Sequence, residues 1–115
     1  MQFLVTVTLG QHLSPPPEEL QAAMTKFVHD QTRAGTFVIT GGLAAPADGA
    51  RIGISNAGLV KSEPRVPLDG YAVAECSALE QAMELATHVL RLHQEFVPDW
   101  EVVCDVRQIV TDCIP

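Results

Sequence analysis

The hydrophobic positions near the start of the chain first alternate and then recur at helical spacing. Residues 2–9 place apolar side chains at every odd-numbered position, the period of a β-strand with two different faces. Prolines at 15–17 suit a first helical turn, where backbone N–H groups lack partners within the helix. From residue 18 apolar side chains recur every three or four positions, and Gly35 is placed to end the helix. The pattern predicts a strand followed by an amphipathic helix.

The middle of the chain predicts short strands joined by turns. The segments 35–43 and 70–76 each begin with glycine and are rich in apolar residues, as in buried strands. Strands are also predicted at 50–55 and 59–62. They flank Asn56-Ala57-Gly58, which predicts a hairpin with a three-residue loop and Gly58 in a left-handed conformation.

The last third predicts a second helix and a closing strand. Ser77-Ala78-Leu79-Glu80 has the pattern of a capping box, and apolar residues at helical spacing follow it. Residues 100–110 alternate again. The order β-α-β-hairpin-β-α-β predicts one α+β domain over residues 1–115, a ferredoxin-like split β-α-β with both helices on one face of an antiparallel sheet. The other sheet face is then uncovered and of mixed polarity, which favours pairing with a second copy.

Charge and cysteine content narrow the class of protein. Seven Lys and Arg residues against 14 Asp and Glu residues give a net charge of −7, which disfavours nucleic acid and anionic lipid as partners. No apolar run is long enough to span a membrane, so we expect a cytoplasmic protein. The three cysteines match neither a disulfide framework nor a metal-binding motif. We expect reduced thiols, no metal and no cofactor.

Several short patterns resemble the YCII-related family, including its DGPF-type members. They are an apolar strand ending in two glycines (GTFVITGGL), a glycine-led strand (GYAVAEC), an alanine-rich helix (SALEQAMELA) and a closing strand (DVRQI). The resemblance covers nearly the whole chain through motifs of low specificity. It implies a dimeric α/β barrel and chemistry on small molecules, which in some members includes dehydrochlorination of hydroxylated aromatics.

The chain departs from this family at the positions that carry its chemistry. Met24 stands where YCII-type members have a proposed catalytic histidine on the first helix. The segment Ser62-Glu63-Pro64-Arg65 replaces the Asp-Gly-Pro-Phe pattern, of which only the proline remains. Catalytic residues therefore cannot be transferred from either branch of the family.

Five side chains are candidates for a site specific to this chain. Asp105 and Arg107 project from one face of the last predicted strand, where the arginine could hold an anion and the carboxylate could accept a proton. His12 follows the first strand in a loop and is a candidate general base. Tyr71 and Trp100 begin strands and could stack on an aromatic ligand. Each could instead have a structural role, as an ion pair, a solvated loop residue or a packing aromatic.

Three functions remain open at this point. The first is a YCII-like homodimer that binds a small polar or aromatic organic molecule in a cleft on the sheet face, with or without catalysis. The second is a lyase or dehydrochlorinase-like enzyme with His12 as base and Arg107 as anion holder. The third is a dimerisation or regulatory module, for which we expect an interior without a cavity of ligand size.

Overall fold

The structure, a computed structural model, describes residues 1–10, 15–65 and 68–111. Its helices and strands, in chain order, are β1 (Gln2–Leu9), α1 (Glu18–Arg33), β2 (Phe37–Gly42), β3 (Arg51–Ser55), β4 (Gly58–Ser62), β5 (Gly70–Glu75), α2 (Leu79–Phe96) and β6 (Val102–Gln108). A single 3-10 turn, Pro46–Asp48, precedes β3. The predicted α+β class and the predicted order of elements are confirmed.

Four strands form one antiparallel sheet in the order β2-β5-β1-β6, and β3 pairs only with β4 in a separate hairpin. The central strand β1 lies between β5 and β6, so the first and last strands of the chain are neighbours. The helix α1 connects β1 to β2, and α2 connects β5 to β6. This arrangement is compatible with a ferredoxin-like fold.

Both helices pack on the same face of the four-stranded sheet. The core there joins Phe3 of β1, Phe37 of β2 and Ala74 of β5 to Phe27 of α1 and Ala82 of α2. The rings of Phe27 and Phe37 meet edge to face, with centroids 5.8 Å apart. Ala74 and Ala82 are fully buried and have only a methyl side chain, which allows the helix layer to pack closely on the sheet at its centre.

The opposite face of the sheet carries no helix, and we call it the helix-free face. Cross-strand register places its residues in rows, because directly opposed residues point to the same side. Its members are Leu4, Thr6, Thr8, Ile39, Tyr71, Val73, Val103, Asp105 and Arg107. Exposed Ile39 and Val103 share this face with exposed Asp105 and Arg107, so the predicted mixed polarity of this face is confirmed.

Two glycines have positive φ: Gly58, for which the sequence predicts a left-handed conformation, and Gly35, which it predicts to end the first helix. Gly35 has φ of 78° and lies two residues after the last residue of α1, and Gly58 has φ of 104° in the hairpin. The hairpin loop is shorter than predicted, since Gly58 already pairs with Ser55 as the first residue of β4. Its loop therefore consists of Asn56 and Ala57.

The predicted capping box at 77–80 is wrong. The residue that precedes the first turn of α2 is Ala78, which has no side-chain hydrogen bond to offer. Instead, the carboxamide oxygen Oε1 of Gln81 accepts hydrogen bonds from the backbone N–H of Ser77 at 2.8 Å and from its hydroxyl at 3.1 Å. Gln81 thus makes the contact with the preceding backbone that the capping box assigns to Glu80. The reason is that α2 begins one residue later than the motif implies.

Candidate functional site

A cavity of about 600 Å³ lies between the helices and the sheet. The strand β1 contributes Val5 and Val7, and α1 contributes Met24, Phe27 and Val28. These side chains belong to the inward face of β1 and the apolar stripe of α1. The same alternation and helical spacing that build the core therefore give the cavity an apolar wall. Its size falls in the range of roughly 300–1,000 Å³ that is usual for small-molecule sites.

Asp69 forms a polar rim where the ends of three strands meet. Its carboxylate accepts a hydrogen bond from the Leu9 backbone N–H at 2.7 Å. Its own backbone N–H donates to the Val7 carbonyl, and its carbonyl accepts from the Leu43 N–H, both at 2.9 Å. Asp69 therefore holds the ends of β1 and β2 beside the start of β5, and it lines the cavity with a carboxylate.

His93 is the one buried ionisable side chain of the described residues that lines the cavity. It lies on α2, with 6% of its surface exposed, and its Nδ1 is 2.8 Å from the Val89 carbonyl one helical turn earlier. Because a carbonyl only accepts, Nδ1 must carry the hydrogen, which leaves Nε2 of a neutral ring with a lone pair. That atom can accept a hydrogen bond from a ligand.

Other polar groups of the lining are already engaged or lie near the opening. The Thr40 hydroxyl donates to the Tyr71 carbonyl at 3.0 Å, and the Thr32 hydroxyl donates to the Val28 carbonyl at 2.7 Å. His29 lines the cavity from α1 but is exposed. The site is thus an apolar chamber with a buried imidazole, and a carboxylate and a second imidazole at exposed positions.

Tyr71, a predicted ligand-binding residue, belongs to the lining of this cavity, but its register opposite Thr6 places its side chain on the helix-free face. Its aromatic ring packs against Gly41 of the neighbouring strand: a Cβ atom at that position would lie 3.1 Å from the ring carbon Cε1 and 3.2 Å from the phenol oxygen. The absence of a side chain at Gly41 therefore makes room for the tyrosine ring at the edge of the sheet.

Trp100 lines a second, smaller cavity of about 410 Å³, and it precedes β6 rather than beginning it. Arg91, His93 and Pro98 belong to the same lining. Because His93 borders both cavities, α2 separates two spaces that share one imidazole.

Asp105 and Arg107 lie elsewhere, on the helix-free face. Asp105 is opposite Thr6 of β1, Arg107 is opposite Leu4, and both side chains are exposed. Neither residue lines the 600 Å³ cavity, and within the described ranges no ion pair joins the two. The structure thus places these two candidates on the same face of the sheet as the Tyr71 side chain, opposite the face that the helices cover.

His12, the predicted general base, lies outside the described residues, so its distance from Arg107 is not defined. His93 falls on the apolar stripe of α2, a position that is typical of a core or interface histidine. In the sequence, the signal for a role of His93 in ligand binding is that it is a titratable side chain on an otherwise apolar helix face. Only the position of the cavity distinguishes that role from simple packing.

The two cysteines in the described part of the chain are free thiols. Burial raises the pKa of Cys104 to about 11, with a smaller contribution from the neighbouring Asp105 carboxylate. Burial likewise raises the pKa of Cys76, partly offset by the N-terminal amine. Both thiols are therefore protonated near neutral pH and are poor nucleophiles. Cys113 lies outside the described residues.

The described ranges show neither a metal-binding cluster nor a helix suited to span a membrane. No group of three His, Cys, Asp or Glu side chains is arranged there to hold a metal ion. Neither α1 nor α2 combines the length and the apolar character that crossing a membrane requires.

No model of a known protein family matches this chain, and no curated protein is significantly similar to it. The resemblance to the YCII-related family stays an expectation carried by the four sequence patterns given above.

Proposed function

We propose that this protein is a YCII-like binding protein for a small organic molecule, and that the molecule occupies the cavity of about 600 Å³ between the helices and the sheet. That cavity is the observation that carries the proposal. An interior filled by side chains would favour the alternative of a dimerisation module, whereas a chamber of this volume supports a ligand site.

The lining indicates the chemical class of the ligand. Valine, methionine and phenylalanine side chains favour an apolar or aromatic body, since burying such a surface contributes roughly 25 cal/mol per Å². The free lone pair of His93 Nε2 favours one hydroxyl or another hydrogen-bond donor on that body. A monocyclic phenol combines both features. The site thus differs from the original expectation, because Arg107 and Asp105 are not part of it.

A comparison of phenol with toluene tests the site, because the two molecules differ mainly in the donor group. We expect calorimetric titration to show saturable binding of both, with phenol preferred. Replacing His93 with Phe keeps an aromatic ring and removes Nε2, so the preference for phenol should fall about two- to tenfold, the worth of one hydrogen bond.

A filled cavity provides the second arm of this test. Met24→Trp places a larger side chain in the chamber and should abolish binding of both molecules. Ala22→Trp, on the exposed side of the same helix, is the matched control and should leave binding unchanged. Failure of wild type to bind either molecule, or equal binding by folded Met24→Trp protein, would refute the proposed site.

The proposal includes a homodimer formed through the helix-free face, as in a dimeric α/β barrel. Ile39 and Val103 are each 54% exposed there, and half-buried Leu4 and Val73 lie between the strands that carry them. A second copy would remove this apolar surface from water. Light scattering after size exclusion tests the assembly, since a dimer has twice the 12.4 kDa of one chain.

A further inference from the structure

We propose that the hairpin 51–62 is an arm that docks on the helix-free face of a second copy of this chain. The inference rests on the proposed homodimer. It adds to that dimer a contact between the hairpin of one subunit and the helix-free face of the other. It is independent of the proposed ligand and of the cavity between helices and sheet.

One face of the hairpin is apolar and almost completely exposed. Cross-strand pairs place Ile52 opposite Lys61 and Ile54 opposite Leu59, so these four side chains share one side. Ile52 is 69%, Ile54 80% and Leu59 76% exposed. Three large aliphatic side chains in a contiguous exposed cluster are unusual on a monomer and mark an interaction surface.

The hairpin also stands apart from the rest of the molecule. Among the described residues, β3 and β4 contact each other but make no substantial contact with either helix or with the four-stranded sheet. A two-stranded hairpin on its own is only marginally stable in water. An isolated arm with an apolar face therefore gains most of its order from whatever covers that face.

The exposed area of the chain is large enough for a stable dimer. Its accessible surface is 8377 Å², whereas a folded monomer of this mass exposes about 6,100 Å². Its radius of gyration is 16.1 Å, against about 13 Å for a compact domain of this length. The excess area exceeds the roughly 800 Å² that each partner buries in an interface of standard size.

Charge favours a second copy as the occupant. The hairpin contains two of the seven cationic residues, Arg51 and Lys61, and none of the 14 acidic ones, which leaves five cationic residues against 14 acidic residues in the remainder. The helix-free face combines exposed aliphatic side chains with the carboxylate of Asp105 and the guanidinium of Arg107, and no ion pair in the described ranges joins these two groups. The apolar side of the arm thus matches the aliphatic part of this face, and Lys61 of the arm can pair with Asp105.

Such a contact also produces a closed assembly of two subunits. If the arm of one protomer lies on the face of its partner, two-fold symmetry places the partner's arm on the first protomer's face. The interaction is made twice and no arm remains free. We therefore expect a dimer rather than an open chain of subunits, with Lys61 close to the partner's Asp105.

The first test removes the apolar contact without touching the body of the protein. The double variant Ile54→Lys with Leu59→Lys should raise the dissociation constant of the dimer by about tenfold or more while the far-UV circular dichroism spectrum is kept. Val60→Lys, on the other side of the hairpin, is the matched control and should leave the dimer intact. Sedimentation over a range of micromolar concentrations measures both.

The second test exchanges charges between arm and face. Lys61→Glu and Asp105→Lys should each weaken the dimer about threefold or more, and the combined variant should recover most of the wild-type affinity. A dimer that survives Ile54→Lys with Leu59→Lys but dissociates with Val103→Lys would overturn the arm and leave the sheet-face dimer standing. A monomeric wild type, or a species larger than a dimer, would overturn both, whereas phenol titration would still report separately on the cavity.

Discussion

The hairpin and the four-stranded sheet are both antiparallel β-structure, yet they are stabilised in different ways. In the sheet, Phe3 and Ala74 are nearly or fully buried beneath two helices, and a hydrophobic core supports every strand. In the hairpin, every residue of β3 is exposed and only the ladder between β3 and β4 holds the strands together. Hydrogen-bonded pairing alone therefore does not explain the stability of the sheet, which depends on the covered apolar face.

The largest effect should come from deleting a core side chain of the sheet. Phe3→Ala removes a ring that is 2% exposed at the centre of the core, and we expect the free energy of unfolding to fall by about 3–5 kcal/mol. Urea denaturation at fixed protein concentration measures the change. Met83→Ala, at a position of α2 that is 51% exposed, is the control and should cost less than about 0.5 kcal/mol. Similar losses for the two variants would refute this assignment of the core.

The rate of thiol modification can be used to compare the buried sheet with the exposed hairpin. With a pKa of about 11, Cys104 is mostly protonated at pH 8. A cysteine introduced at the exposed hairpin position Ser62 should be ionised to a much larger extent. Allowing for the higher intrinsic reactivity of the more basic thiolate, we expect iodoacetamide to modify Cys104 at least about tenfold more slowly.

Mass spectrometry of the digested protein measures both rates in the same sample. Raising the pH from 8 toward 11 should accelerate modification of Cys104 more than that of the introduced cysteine, because only Cys104 gains ionised fraction over the whole interval. Equal rates at pH 8 would show that Cys104 is not shielded by burial.

Matched glycine substitutions should produce the smallest effect and separate the two regions most directly. Gly35 and Gly58 both have positive φ, so alanine costs about 1 kcal/mol at either position. At Gly35 this strain is at the end of α1 and should lower the free energy of global unfolding. At Gly58 it should increase hydrogen exchange in the hairpin and leave global unfolding unchanged, because the hairpin is not part of the core. A global loss at Gly58 would mean that hairpin and sheet unfold together.

The fold was largely predictable because its signals are local. The alternation in residues 2–9 and the helical spacing after residue 18 each reflect one element with one buried side. The end of α1 and the left-handed hairpin position follow from the glycines themselves. The capping of α2 was not predictable in the same way, since Glu80 and Gln81 both lie within reach of the first turn and only the actual start of the helix selects between them.

The candidate site was less accessible to sequence reasoning. Strand alternation placed Asp105 and Arg107 on the uncovered face, and the register agrees with that placement. Alternation does not indicate, however, on which side of the sheet the packing leaves space. The sequence favours Tyr71 as an aromatic side chain at the start of a strand; the residue belongs to the cavity lining, although its side chain lies on the helix-free face. The sequence does not distinguish a packing role from a ligand-binding role for His93, because its spacing on α2 is the same in both cases.

The sequence by itself determined the class of the fold, the order of its elements and the inward side of each, because these depend on periodicity and on the conformational limits of single residues. The tertiary structure alone decided where the cavity lies, which nitrogen of His93 is engaged, and how far the hairpin stands from the core. A cavity is the volume that side chains from several distant segments fail to fill, and an exposed arm is defined by the contacts it does not make. Both depend on how the elements are assembled, which no local pattern in the chain encodes.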